Sequence, residues 1–148
     1  MEHRTGDLFT ADDVDALAHG CNCAGAMGRG IAVEFRRRWP DMYREYRARC
    51  LDGRLTEGGL FPWRAPDGLM VYNLGTQAHW RTPATLAAVT SAVGTMLEHA
   101  HQHGVRRIAL PKIAAGHGGL AWPDVESAID GITRPDGVRL IVYTLGES

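Results

Sequence analysis

Lysine occurs once in this chain, at Lys112, and asparagine twice, at Asn22 and Asn73. A P-loop needs lysine and a hydroxyl residue after a glycine-rich turn, and no G-K-[ST] stands here, so nucleotide hydrolysis by that route is excluded. Cysteine is limited to Cys21, Cys23 and Cys50. An odd number without framework spacing reads as free thiols in a reducing compartment. No apolar run approaches the ~20 residues that span a bilayer, so no membrane partner is expected. The opening MEHRTGDLF has no charged start ahead of an apolar stretch, which predicts no secretory leader and a cytoplasmic location. Cys21-x-Cys23 and the alternation of His99, His101 and His103 lack zinc spacing, and no metal is expected. A net charge of −1 argues against sequence-blind nucleic-acid binding, which draws on excess Lys and Arg. Nucleic acid is accordingly not an expected partner. Arginine is uneven, crowding at Arg36, Arg37, Arg38, Arg44, Arg47 and Arg49. That cluster reads as a solvated helix face or as a surface for an acidic partner.

What is present is the patterning of one α/β domain over residues 1–148. Short β-branched runs at Ala16–Ala18, Leu69–Tyr72, Val105–Leu110 and Leu140–Tyr143 predict strands, with shorter ones near Arg4–Leu8 and Gly59–Trp63. The last strand is expected over Val138–Leu145. Ile31, Phe35, Tyr43 and Tyr46 mark a helical stretch interrupted near Pro40, and Leu86, Val89, Val93, Leu97 and Ala100 mark a second. Thr82-Pro83 predicts the second helix's start and Gly104 its stop. A third helix is expected from about Pro123 through Ile129. The alternation predicts a sheet covered on both faces, with ligands beyond the carboxyl ends of its strands.

Two stretches follow a strand and open a helix: NCAGAMGRGIA, from Asn22 to Ala32, and LPKIAAGHGGL, from Leu110 to Leu120. Glycine lets a ligand approach the backbone, so successive N–H groups can converge on an anion beside a helix N-terminus. Two such loops can hold a diphosphate from both sides. Each, taken alone, is also explained by a tight turn. Asn22 offers an amide suited to sugar hydroxyls or to closing its own turn. Asp7, in GDLF, is placed to accept from an amino group or to cap a turn.

GDLF at Gly6–Phe9, HGCNCAGAMGRGIAVEF at His19–Phe35 and LPKIAAGHGGLAWPDV at Leu110–Val125 together resemble the macrodomain family, in order and spacing across nearly the whole chain. The MG-x-GIA string and Trp122 resemble the branch holding the terminal ADP-ribose protein glycohydrolase and the macrodomains that remove ADP-ribose from DNA. The resemblance implies a three-layer α/β/α fold around a mixed sheet, and a pocket for ADP-ribose as ligand or product, with no cofactor. It implies that Asp7 and the Leu8 backbone meet the adenine and that Asn22 sits by the distal ribose. Met27, Gly28, Arg29, Gly30 and Ile31 would take one side of the diphosphate. Ala114, Ala115, Gly116, His117, Gly118 and Gly119 would cover the other side and the distal ribose. Thr76 falls in the loop that follows the strand run beginning at Leu69, and Tyr143 lines the adenine pocket or is a core tyrosine.

The chain departs from its relatives at Gln77, where they carry a lysine that attacks the anomeric carbon of the distal ribose. An amide is not such a nucleophile. The expectation is therefore a hydrolase that frees mono-ADP-ribose from proteins, acidic side-chain esters above all, without a covalent step. Asn22, Gln77 and His117 are its candidate catalytic residues. A non-catalytic ADP-ribose reader and an O-acetyl-ADP-ribose deacetylase are the alternatives.

Overall fold

The computed structural model describes residues 1–145. Its six strands are β1 (Glu2–Thr5), β2 (Ala16–Asn22), β3 (Leu60–Arg64), β4 (Met70–Gln77), β5 (Arg107–Leu110) and β6 (Arg139–Thr144). The helices are α1 (Ile31–Arg38), α2 (Pro40–Leu51), α3 (Leu86–Gln102) and α4 (Trp122–Asp130), with one short 3₁₀ turn at Leu8–Thr10. The strands form a single sheet in the order β1-β6-β5-β2-β4-β3. Every pairing is parallel except β3 with β4. This is the expected mixed sheet between two helical layers.

Strand alternation sorts the core onto two faces. Ala16, Ala18, Tyr72, Leu74, Ile108, Leu110 and Val142 face α3 and α4. Leu17, Cys21, Val71 and Ala109 point the other way, against Phe35 of α1 and Met42 and Tyr46 of α2. Along α3 the buried positions are Ala88, Val89, Ala92, Val93, Met96, Leu97 and Ala100, an i, i+3/i+4 stripe. Each of its large aliphatics contributes roughly 1.5–3 kcal/mol of burial. Among the described residues, no helix is long and apolar enough to cross a membrane.

The first strand runs over Glu2–Thr5, not Arg4–Leu8, and the second extends to Asn22. Three further boundaries differ from the sequence expectation, each for a local reason. Helix α3 starts at Leu86 because Thr85, not Thr82, caps it, accepting from the Ala88 N–H at 3.1 Å. Thr82 is spent on a turn instead, its hydroxyl donating to the His79 carbonyl at 3.1 Å. Strand β5 starts late because Val105 N–H still closes α3 on Ala100 at 2.9 Å. Strand β4 runs on through Asn73-Leu74-Gly75-Thr76 to Gln77, so Thr76 and Gln77 end a central strand and do not begin a loop. Gly75 permits this extension. A Cβ there would lie 2.8 Å from the Thr56 carbonyl oxygen, so the neighbouring backbone packs where a side chain would stand.

Candidate functional site

Strands β2 and β5 are neighbours whose onward connections diverge. From β2 the chain passes through α1, α2 and β3 to β4 on one side, and from β5 through α4 to β6 on the other. Diverging connections open a crevice at the carboxyl edge of a parallel sheet. Strand β5 also ends early, since its Leu110 is one step beyond the Ala109 that pairs with Leu17, while β2 continues to Asn22. A cavity of about 500 Å³ occupies this notch. Its walls are the loop after β2, the loop after β5, and the ends of β2 and β4.

The first wall is held from beneath. Asn22 Oδ1 accepts from the Ala24 N–H at 3.0 Å and the Ala26 N–H at 3.3 Å, and its Nδ2 donates to the Ala26 carbonyl at 2.8 Å. Asn22 thus closes its own turn. From α2, the Tyr46 hydroxyl donates to the Asn22 carbonyl at 2.6 Å and the Tyr43 hydroxyl to the Gly25 carbonyl at 3.2 Å. Gly30, at φ 59°, precedes α1 and provides no side-chain cap. Val33 N–H donates to the Gly30 carbonyl at 3.2 Å, and the Ile31 and Ala32 N–H groups ahead of it are left for a ligand, with the partial positive charge of a helix start.

The second wall is tighter. Ala114 has φ 62°, the one positive value at a non-glycine among the described residues. Holding an L-residue in that region costs roughly 1–2 kcal/mol, strain that tends to collect at ligand-binding loops. Its carbonyl accepts from Leu120 N–H at 3.0 Å, drawing the loop into a closed turn. Inside that turn a Cβ on Gly118 would stand 2.4 Å from the Ala114 carbonyl oxygen. The two walls meet above the cavity at His117, whose ring carbon Cδ2 would lie 3.2 Å from a Cβ on Gly30.

Of the expected site residues, Asn22, Met27, Gly28, Arg29, Gly30, Ile31, Thr76, Gln77, Ala114, Gly116, His117 and Gly118 line the cavity. Ala115 and Gly119 belong to the second loop without lining it. Asp7, Leu8 and Tyr143 lie outside its walls. Asp7 caps the 3₁₀ turn by accepting from the Phe9 N–H at 2.9 Å, and Leu8 is buried in the core. The Tyr143 hydroxyl accepts from Arg4 Nη1 at 3.0 Å, beside the β1–β6 pairing. Among the wall residues that the sequence reading did not assign to the site are Gly20, Cys21, Trp80 and Lys112. Gly20 had a readable signal, since it stands in the strand that leads into the first glycine loop. Its missing Cβ leaves room for Thr76 Oγ1, which would otherwise be 2.9 Å away. Trp80 is exposed at the rim, its ring centroid 3.7 Å from that of His79 at a tilt of 32°.

At the floor, Gln77 Nε2 donates to the Thr82 carbonyl at 2.6 Å. That bond spends one of its two amide hydrogens, which leaves the acceptor Oε1 and the second N–H to offer. Behind the wall, His19 Nε2 bonds Asn73 Oδ1 at 2.7 Å, and Cys21 Sγ lies 3.4 Å from His19 Nε2. This is a cysteine–histidine pair in form but not in chemistry. Burial holds the His19 imidazole neutral, its pKa lowered to about 4, and burial drives the Cys21 thiol well upward. Cys23 is no better placed, its thiol pushed up to about 12 by desolvation and then by Cys50 and Glu57. Nucleophilic cysteines need the opposite shift. Among the described residues, no three His, Cys, Asp or Glu side chains stand together as a metal site.

The His19 shift makes stability depend on pH. Its folded pKa of about 4 lies below the ordinary 6.5, so the unfolded chain takes up the proton first. The stabilisation is complete above 6.5 and drains away as pH falls from 6.5 to 4. Its share should reach about 3 kcal/mol, read from urea midpoints across that window. His19→Gln should flatten the slope; an unchanged slope would show that other groups carry it.

Comparison with known proteins agrees with this architecture. Residues 18–129 match the Macro domain family model. The chain is 34% identical over 132 residues to a DNA ADP-ribosyl glycohydrolase of Mycobacterium tuberculosis, covering 87% of this chain and 37% of the relative. It is 35% identical over 142 residues to that of Thermus aquaticus, covering 93% and 39%. The chain therefore spans less than two fifths of these relatives' length. The solved macrodomain of Mycobacterium tuberculosis DarG superposes with a TM-score of 0.85 at 34% identity, over 96% of this chain and 95% of that one. With the family model matching most of its length and the glycine loops standing at the diverging strands, this chain belongs to the macrodomain family.

Proposed function

We propose that the cavity binds ADP-ribose and that the protein hydrolyses the bond between its distal ribose and a macromolecular carrier, with water as the nucleophile. The observation that carries this reading is the pair of glycine loops facing each other across a cavity that ends at Gln77. A diphosphate has acceptor oxygens on both sides, and each loop offers backbone N–H groups to one side. The relatives' names, DNA ADP-ribosyl glycohydrolase at 34–35% identity and human ADP-ribose glycohydrolase at 27%, support hydrolysis of an ADP-ribosyl bond.

Gln77 decides which bond suits the site. With an amide in place of an amine, no covalent sugar–enzyme adduct forms, and the leaving group must depart unaided. The carboxylate of a Glu or Asp ester does so without a proton, because its conjugate acid has a pKa of only about 4. Water adds to the anomeric carbon, the carbon–carboxylate bond breaks, and the water proton passes to His117, to solvent or to the ligand's own phosphate. Positioning alone supplies much of such a rate. Gln77 Oε1 aligns the water or a ribose hydroxyl, and the His117 imidazole, in the cavity wall, is the candidate base. Mono-ADP-ribosylated proteins modified on acidic side chains are thus the favoured substrates. A DNA carrier is the second reading, favoured by the names of the relatives.

The test is a panel of Glu-, Arg- and Ser-linked mono-ADP-ribosylated proteins and ADP-ribosylated DNA, followed for release of ADP-ribose. Release from the Glu-linked protein first is expected, with Gln77→Ala slowing it about tenfold and His117→Ala by a similar factor, below the ~10²–10⁴ of an ideally placed acid or base. Saturable ADP-ribose binding without release from any member would leave a reader. Unchanged rates in both variants would leave the ligand phosphate as base.

A further inference from the structure

Helices α1 and α2 hold charge that the cavity does not use. Residues 29–49 contain seven arginines against three carboxylates, a net +4 on a chain whose total is −1, so the remainder carries −5. A second concavity, of about 620 Å³, lies between these helices, lined by Val33, Arg36, Arg37, Pro40, Tyr43 and Arg44. Met27 and Gly28 wall both concavities, so the groove opens from the rim of the ADP-ribose cavity. We propose that this groove seats an acidic polypeptide segment, the stretch of a modified protein that flanks its ADP-ribosylated side chain. The proposal rests on the reading of the cavity given above.

Three observations select that occupant. The arginines already take carboxylates in hydrogen-bonding geometry: Arg37 Nη1 meets Glu34 at 2.9 Å, Arg38 Nε meets the same carboxylate at 2.9 Å, and Arg44 pairs with Asp41. These pairs are exposed, and exposed pairs hold weakly, so an incoming carboxylate exchanges with the internal one at little cost. The groove's aromatic surface is closed. Its one aromatic ring, Tyr43, is covered by Arg36 at 4.2 Å. Single-stranded nucleic acid is held by bases stacking on open aromatic faces along a basic track, and this groove, though basic, offers no open aromatic face. A long polyanion also outreaches the seven arginines into the rest of a chain whose formal charge sums to −5, whereas a short acidic stretch ends where the arginines end.

The experiment follows fluorescence anisotropy of a labelled oligoglutamate peptide and of an oligothymidylate of matched length, with ADP-ribose binding measured beside them by calorimetry. The expected result is peptide binding at low salt that weakens as salt rises. Arg36→Gln/Arg37→Gln/Arg44→Gln should bind the peptide at least about tenfold more weakly and ADP-ribose as tightly as before, and the triple Arg→Lys variant should keep most of the peptide affinity. Equal peptide binding by the wild type and the Gln variant overturns the groove. Tighter binding of oligothymidylate than of oligoglutamate overturns the occupant. Absence of ADP-ribose binding by the wild type strikes the cavity reading and, with it, the premise of this one.

Discussion

Gly118→Ala is expected to lower ADP-ribose affinity about a hundredfold, or roughly 2.7 kcal/mol, while leaving the sheet and helices intact. The methyl group would stand 2.4 Å from the Ala114 carbonyl oxygen and 2.7 Å from Ala114 C and Cα. All three are backbone atoms, so no side chain can swing aside, and the turn from Ala114 to Gly119 must open. Opening it undoes the Leu120–Ala114 bond and the bond from Ala84 N–H to the Gly118 carbonyl, at 3.0 and 2.8 Å. It also releases the positive φ of Ala114, so part of the cost is repaid and global stability should fall by only about 1–2 kcal/mol. Binding suffers more because the wall's N–H groups no longer converge. Calorimetry with ADP-ribose and a thermal melt separate the two effects. Gly94→Ala is the matched control: a Cβ there meets nothing within 4 Å in the middle of α3, and should raise stability by about 0.5–1 kcal/mol with binding unchanged. Retention of affinity in Gly118→Ala would show that the second loop is not a ligand wall.

The loops that this experiment probes were legible in the sequence because backbone recognition leaves a mark that side-chain recognition does not. Gly25, Gly28 and Gly30 in one stretch, and Gly116, Gly118 and Gly119 in the other, are dense enough to be seen without any partner. Pro40 likewise announces the break between α1 and α2. The reach of β4 was not legible. Asn73, Gly75 and Gln77 read as turn residues, and it takes the backbone passing Gly75 and the pairing of Asn22 with Gln77 across the strands to make them a strand end. The His19–Asn73 bond was hidden for another reason. Its partners are 54 residues apart, and only the register of β2 on β4, which sets His19 opposite Asn73, brings them together. Net charge alone is a blunt guide, since a total of −1 averages a positive pair of helices with a negative remainder, and it was the crowding of arginine along the chain that made the difference legible. The cavity's lining was readable because it is local in sequence, whereas Asp7, Leu8 and Tyr143, assigned by resemblance alone, lie outside the cavity's walls.

Gln77→Lys should convert the site from direct hydrolysis to covalent catalysis and raise release from a Glu-linked substrate on the order of a hundredfold, the scale of one well-placed catalytic group. Position 77 is the last residue of β4, buried and in the cavity wall. A lysine there projects from the same Cβ toward the same space, and partial desolvation favours its neutral, nucleophilic amine. The amine attacks the anomeric carbon, the carboxylate leaves and the nitrogen gives up a proton to solvent. The glycosylamine so formed opens its ring, with the bond from the anomeric carbon to the ring oxygen breaking and that oxygen taking a proton, and water hydrolyses the resulting imine to free ADP-ribose and the amine. Borohydride should trap that imine as a stable adduct on residue 77, visible by mass spectrometry in the variant and absent from the wild type. Substitution also removes the Gln77–Thr82 bond of 2.6 Å, which holds the turn ahead of α3, so Gln77→Met is made in parallel. Met keeps the length but supplies neither amide nor amine, and it should fall below wild type. A lysine variant no faster than the methionine one, with no trapped adduct, would mean that the anomeric carbon does not come within reach of β4's end. In that event the pose of the distal ribose, not the missing amine, sets the chemistry.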